Sequence, residues 1–383
     1  MASDTSAAAV GGRLPCITVL GSLNRDLVSY VAHYPEPGET ITSTGLARSL
    51  GGKGANQAVA CAKLSRSKPA AASSESATAD DVTAAASAHV NMIGAVGADA
   101  DGTALRENLA RYGVDVSGVA VLPGETTGLA VIVVDESTGQ NRIIFTPGAN
   151  FALAKHAASL SSSALIPAGT QLLILQLEVP LALVVRALAE ARAAGVPVLL
   201  NPAPAPADDA ARAQLEAAFA VVPSSSSSPD AKGLSHLVLN ETETAALVPG
   251  LAAEDLTTKT TTTTTNNGTE ALARAARYFF DRGVENVVIT LGGHGVYYAA
   301  RSNSNNNNGG GVLVPPEPVK QVVDTTGAGD TFAGQYALEV VYAAAAGRAF
   351  DGVAAVRKAN RVAAKTVQRK GAQDSIPWRD EVE

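Results

Sequence analysis

The chain has 383 residues, 46% of them hydrophobic, enough to bury a large core as one α/β domain or as one domain with a small appendage. Its formal net charge of −7 argues against a nucleic-acid partner, because phosphate backbones recruit basic surfaces. No apolar run approaches the ~20 residues of a membrane span, residues 1–15 lack a basic-then-apolar leader, and Cys16 and Cys61 are too few for a disulfide framework or a zinc site. These features predict a soluble intracellular protein with two reduced thiols.

The elements alternate along the chain. "CITVLG" reads as a first strand and is followed by "LVSYVAHYPEPGETITSTGLARSL", which turns and alternates like antiparallel strands. "VNMIGAVG" is a second buried strand, and "DGTALRENLARYG" has apolar residues at helical spacing. "TGLAVIVVDESTGQNRIIFTPGAN" is a hairpin with "ESTGQN" as its loop. Then strands "LLILQLE", "VPVLLNPAP", "LVLNETE" and "NVVITLGG" are interleaved with helices "PLALVVRALAEARAAG" and "GTEALARAARYFFDRG". Apolar strands separated by helices predict a parallel sheet covered on both faces, with ligands at the strands' C-terminal ends. Polar residues stand there: Asn24 and Asp26, Glu178, Asn201, Asn240 with Glu243, and Thr290 with Gly292.

The two alternating segments, about 27–50 and 127–147, predict a small separate sheet serving as a lid, a dimer surface or both. Residues 1–15 read as a disordered tail. Low-complexity tracts near 66–88, 223–230, 257–268 and 302–311 read as surface insertions that leave the fold intact.

One stretch concentrates chemistry. "DTTGAGDTFAG", Asp324 to Gly334, places two glycines and a carboxylate before a long apolar helix. A glycine-rich turn entering a helix offers free N–H groups and the positive end of the helix dipole, so Gly327, Ala328 and Gly329 suit a phosphoryl group. Asp330 beside such a hole could accept a proton from an attacking hydroxyl. An isolated GAGD is equally open to a second reading, in which Asp330 merely caps the helix. Other templates fail: there is no GxxxxGK[ST] or GxSxG, "GGKGANQ" lacks the third glycine of GxGxxG, and the histidines (His33, His89, His156, His236, His294) show no metal-ligand spacing.

"DTTGAGDTFAG" resembles the C-terminal signature of the PfkB, or ribokinase-like, family of sugar and nucleoside kinases, and "GGKGANQAVA" resembles its N-terminal one. "GSLNRDL" resembles the family's strand-end segment that binds the sugar, and "LNPAPA", "LNETE", "VITLGGHG" and "RKGAQDSIPW" are similar, in the same order, to segments of the members that act on ribose. Lys53, within "GGKGAN", stands where adenosine kinases and fructokinases usually carry other residues. The resemblance runs from about Cys16 to the last residues and implies a three-layer α/β/α fold with a mostly parallel central sheet and a small β-sheet lid. It implies ATP-dependent phosphorylation of D-ribose at the 5-hydroxyl, with Asp330 as base and Gly327 to Gly329 as anion hole. A kinase for deoxyribose, fructose or adenosine, or a catalytically silent sugar-binding protein on the same fold, stays as the alternative.

The resemblance also distributes the remaining roles. Asn24, Asp26, Gly52, Lys53, Asn56 and Glu178 would hold the sugar, together with Asp330. Asn240, Thr290, Gly292, Gly293, His294, Gly295, Gly329 and Asn360 would hold ATP. Glu243 would serve Mg2+ through water, as magnesium keeps most of its hydration shell. Asp324, Thr326, Thr366, Arg369, Gly371 and Ser375 would hold an activating K+, several through backbone carbonyls. A homodimer through the lid is expected, working in the cytoplasm or nucleus, with no nucleic acid or membrane as partner.

Overall fold

Residues 14–69, 86–138, 140–159, 164–219, 233–257, 267–303 and 311–382 are described by the structure, a computed structural model. The first part of the chain runs β1 (Cys16–Leu20), β2 (Asn24–Val31), β3 (Gly45–Gly51), α1 (Lys53–Leu64), β4 (His89–Gly97), α2 (Ala100–Arg111), β5 (Asp115–Leu122), β6 (Gly128–Asp135), β7 (Asn141–Thr146) and α3 (Ala149–Ser159). The middle runs β8 (Leu172–Leu175), α4 (Leu181–Ala193), β9 (Val198–Leu200), α5 (Asp209–Phe219), β10 (His236–Asn240), α6 (Glu241–Leu247), α7 (Ala253–Thr257), α8 (Asn267–Phe280) and β11 (Asn286–Thr290). It ends with β12 (Val296–Ala300), β13 (Val312–Val314), α9 (Ala328–Ala345) and α10 (Gly352–Thr366). The expected disordered tail lies outside the described residues except at its end, as do tract 223–230 entirely and most of the other three tracts.

Strand side chains alternate between two faces, and here both faces are apolar. Ile17, Val19, Leu172, Ile174, Leu199, Val238 and Val288 pack in one direction, with Val59 of α1, Tyr336 of α9 and Val356 of α10. Leu20, Leu173, Leu175, Leu200, Leu239 and Ile289 pack in the other, with Val184 of α4, Phe219 of α5 and Phe279 of α8. Two helical layers therefore sandwich one sheet. Its strand order is β13-β12-β11-β10-β9-β8-β1-β4-β5, parallel from β11 to β5 and antiparallel only through β12 and β13. This is the three-layer, mostly parallel architecture expected from the alternation. The strand β5, which the apolar-run pattern did not single out, is an edge strand with several exposed positions.

A second sheet has the order β3-β2-β6-β7. Its outer pairs are antiparallel, as the sequence predicts, but β2 and β6 run parallel, Asn24 beside Gly128 through Val31 beside Asp135. The reason lies in the large sheet: β2 follows β1 and β6 follows β5, and both parent strands leave by the same edge. This edge is where the sheet's polar strand ends collect.

Helix starts are capped where the sequence offers short acceptors. Asp99 accepts from the Gly102 N–H at the head of α2, and Asp351 from the Ala354 N–H at the head of α10. Among the described residues no helix is long and apolar enough to cross a membrane.

The chain's last segment is fastened to α1 by a buried lysine. The Lys63 ammonium donates to the Gln373 carbonyl at 3.2 Å and lies 5.2 and 5.4 Å from the ring centroids of Tyr112 and Trp378. Burial holds its pKa down, at about 8, against the opposing pull of Asp374 and Glu381. An unfolded chain restores the ordinary 10.5. Between those limits the unfolded state binds more protons, so stability rises with pH. The melting-temperature difference between wild type and Lys63→Met should therefore grow in favour of wild type from pH 8 to 10; a flat difference across that window would contradict the assignment.

Candidate active site

β1 stops at Leu20 because the chain must turn out of the sheet, and the turn brings polar side chains into a group. Glu178, just past β8, accepts from Ser22 Oγ at 2.6 Å, from Asn24 Nδ2 at 3.2 Å and from the Lys53 N–H at 3.1 Å. Gly52 lets these segments meet: its φ is 89°, and a Cβ there would lie 2.7 Å from Asn24 N and 2.8 Å from the Ser22 carbonyl oxygen. Asn24 Oδ1 accepts from Asn150 Nδ2 at 2.7 Å, and Asn150 also bonds both backbone groups of Leu23. Asn150 is a fully buried anchor of this corner that the sequence pattern missed, since it reads as an ordinary residue at the start of α3.

Asp26 is buried one strand position pair further along β2. Burial, then the nearby charges of Glu178 and Asp330, raise its pKa to about 7. Lys53 opens α1 among the same carboxylates. Burial works against its charge, but Asp330, Glu178, Glu243 and Asp26 outweigh it and the pKa is raised. The corner is thus acidic and organised around one ammonium group.

Asp330 lies in the first turn of α9, buried, and it does not cap that helix. The N-cap is Gly327, at φ 76°, with no side-chain cap bond. The carboxylate crosses to α1, where Asn56 Nδ2 donates to one oxygen and Gln57 Nε2 to the other, both at 2.9 Å. Gly327 is held against the C-terminal segment: a Cβ there would lie 2.7 Å from the Ala372 carbonyl oxygen. Ala328 N–H closes a turn onto the Thr325 carbonyl at 3.3 Å. Gly329 follows at a position whose N–H has no partner within its own helix, and a Cβ there would meet nothing within 4 Å. An exposed glycine N–H at a helix start beside a buried carboxylate can take an anion next to a proton acceptor.

The residues expected to hold a nucleotide lie along the neighbouring strand ends. Asn240 and Glu243 form a capping box on α6: Asn240 Oδ1 accepts from the Glu243 N–H at 2.7 Å and Glu243 Oε2 from the Asn240 N–H at 3.0 Å. Burial raises the Glu243 pKa, while the Asn240 N–H and Lys53 oppose the rise. Thr290 Oγ1 donates to the Leu239 carbonyl at 3.2 Å. Gly292, Gly293 and His294 form an exposed short 3-10 turn, whereas Gly295 is buried with its α-carbon facing the Val314 carbonyl. Asn360 donates to the Pro315 carbonyl at 3.0 Å, tying α10 to the segment after β13.

The six positions expected around a monovalent cation come from two segments that the fold joins. Asp324 Oδ1 accepts from the Thr326 N–H and Oδ2 from the Gly371 N–H, both at 2.9 Å. Val367 O accepts from the N–H groups of Val323 and Asp324. Thr366 Oγ1 donates to Thr331 Oγ1, and Ser375 Oγ to the Ala372 carbonyl. The Arg369 guanidinium pairs with Glu381 instead, leaving only its backbone for such a site. Among the described residues no three His, Cys, Asp or Glu gather as a metal cluster.

This arrangement has relatives. The model of the pfkB family carbohydrate kinases matches residues 15–379, and the chain belongs to that family. It is 35% identical over 363 residues to the ribokinase of Schizosaccharomyces pombe, covering 94% of each chain. It is 33% identical over 366 residues to the ribokinase of Haemophilus influenzae, covering 95% of this chain and 96% of that one. The solved structure of Arabidopsis thaliana ribokinase complexed with ribose and ATP superposes with a TM-score of 0.69 at 27% identity, over 97% of this chain and 98% of that one.

The raised pKa of Asp26 has a cost that can be measured. The ordinary value is 3.8, so the folded state binds more protons than the unfolded one between that pH and about 7. Asp26 contributes stability at pH 3.8 and below, and this is lost as pH rises through about 7. Asp26→Asn should be more stable than wild type at pH 8, by roughly 1–3 kcal/mol, with the advantage gone near pH 4. Urea unfolding at both pH values tests this; equal stability at pH 8 would refute it.

Proposed function

We propose that the protein transfers the γ-phosphoryl group of ATP to the 5-hydroxyl of D-ribose, giving D-ribose 5-phosphate and ADP. The observation that carries the reading is the buried carboxylate of Asp330, held between two amide donors beside the helix-start glycines. Those donors occupy one lone pair on each oxygen, which leaves acceptor capacity for a hydroxyl proton. Asn24, Asp26 and Glu178, with Gly52, Lys53 and Asn56, would surround the sugar, and amide and carboxylate groups suit vicinal hydroxyls. Asp330 takes the proton as the sugar oxygen attacks in line, and the Gly327–Gly329 backbone stabilises the charge that develops. Thr290, Gly292 to Gly295 and Asn360 would line the nucleotide.

The Glu243 carboxylate has acceptor capacity beyond its bond from the Asn240 N–H, which suits the water shell of a hydrated magnesium ion. Asn240 and Glu243 would hold that ion through water, and it would neutralise charge on the transferring phosphates. Asp324, with backbone of Thr326, Thr366, Arg369, Gly371 and Ser375, would hold potassium and steady the anion-hole loop. The four-stranded sheet would act as lid and dimer contact. Leu46, Ile143 and Ile144 are exposed on it, and successive residues Ile143 and Ile144 point to opposite faces. The cytoplasm or nucleus is the fitting compartment, where Cys16 and Cys61 would stay reduced.

ADP release measured with ribose, deoxyribose, fructose and adenosine in potassium buffer should be fastest with ribose. Asp330→Asn should lower turnover by ~10²–10⁴-fold with sugar and ATP affinity kept; turnover within tenfold of wild type would remove Asp330 as base. Release with no member of the panel would favour a silent sugar-binding protein. Light scattering at micromolar concentration should give the mass of a dimer, and a monomer mass would reject the lid contact.

A further inference from the structure

The two amides that hold Asp330 are themselves held, and the bonds run in one direction. On one arm Gln176 Nε2 donates to Gln57 Oε1 at 2.6 Å, and Gln57 Nε2 donates to Asp330. On the other, Asn108 Nδ2 donates to Gln373 Oε1 at 2.7 Å, Gln373 Nε2 donates to Asn56 Oδ1 at 3.1 Å, and Asn56 Nδ2 donates to Asp330. All five amide side chains belong to buried residues. An ionised carboxylate only accepts, so both neighbouring amides must turn their NH2 groups to it, and each then presents its carbonyl oxygen to the next amide.

This polarity has a stability cost. Gln176 Oε1 is left without a hydrogen-bond partner among the described residues, and burying an unpaired acceptor is destabilising. Apolar side chains would fill the same space without that penalty. Aligned donor chains also polarise one another toward the shared acceptor.

We infer that Gln57 and Gln373 are positioning residues for Asp330: they orient the amide hydrogens that fix its carboxylate, one directly and one through Asn56. Gln373 adds a second link. It follows Gly371, whose N–H binds Asp324, and Ala372, whose carbonyl faces Gly327. One short segment therefore sets both the carboxylate and the glycine loop. The inference rests on the reading of Asp330 as base.

Gln373→Glu and Gln373→Met discriminate. The ionised new carboxylate cannot donate, so Asn56 must turn its NH2 to it and its carbonyl oxygen to Asp330. Turnover with ribose and ATP should fall by roughly tenfold or more at pH 8. At lower pH the new carboxyl group protonates and donates to Asn56 Oδ1 again, so the ratio of variant to wild-type kcat should rise as pH falls. Gln373→Met should lose less than Gln373→Glu at pH 8, with a ratio independent of pH. ATP affinity should change little in either, and sugar affinity little in Gln373→Met, where the Asn56 amide need not turn over. Wild-type turnover reports on the function itself, whereas these ratios report on the relay. A pH-independent ratio for Gln373→Glu, or wild-type turnover in both variants, would overturn the inference. Should Gln373→Glu fail to fold, Gln57→Glu offers the same carboxyl group on the other arm and must show the same recovery at low pH.

Discussion

Four carboxylates, those of Asp26, Glu178, Glu243 and Asp330, are drawn into the field of a single ammonium group, Lys53, at the edge where the parallel strands end. Burying so much negative charge is costly unless each oxygen finds a donor. The fold supplies the donors from three directions: Ser22, Asn24 and the Lys53 N–H for Glu178, the Asn240 N–H for Glu243, and Asn56 with Gln57 for Asp330. Much of the local architecture follows from that need. Gly52 must be glycine for the first corner to approach α1, and Asn150 must be buried to hold Asn24 in place.

Asp26 is the member for which donors fall short, and its pKa carries the consequence. A site that tolerates this loses stability near neutral pH, and such losses concentrate where groups must later bind a ligand. The apolar layers on either side of the sheet can carry the deficit, because the central strands are buried on both faces and the helices add their inner faces. The polar edge and the apolar body thus have separate tasks. Lys63 joins them, since it is buried in the aromatic cage while bonding the segment that reaches Asn56.

Much of this was legible in the chain. Uninterrupted apolar strands between helical patterns specify a covered parallel sheet, and polar residues at strand ends mark its ligand edge. The glycine-rich turn before α9 marked Asp330, though in isolation it left the capping reading open. The crossing of its carboxylate to Asn56 and Gln57 closes that question, and those partners stand 274 and 273 residues away. Asn240 and Glu243 were marked only by their place at a strand end and by motif, and their mutual contact, a capping box, came from the structure. Arg369 was matched by motif, yet its guanidinium is engaged by Glu381, a pairing no local pattern announces.

What the sequence determined by itself is periodic and local: which faces are apolar, where strands stop, which turn can open a helix as an anion site. These depend on side-chain type and spacing along one segment, so they survive without knowledge of the fold. Only the tertiary structure decided the parallel pairing of β2 with β6, the role of Asn150, the pKa of Asp26 and the amide arms that end on Asp330. Each of these depends on which distant segments meet and how much water they exclude. Hydrogen-bond direction in a buried network, and the penalty for an uncompensated charge, arise from that packing and from nothing shorter in range.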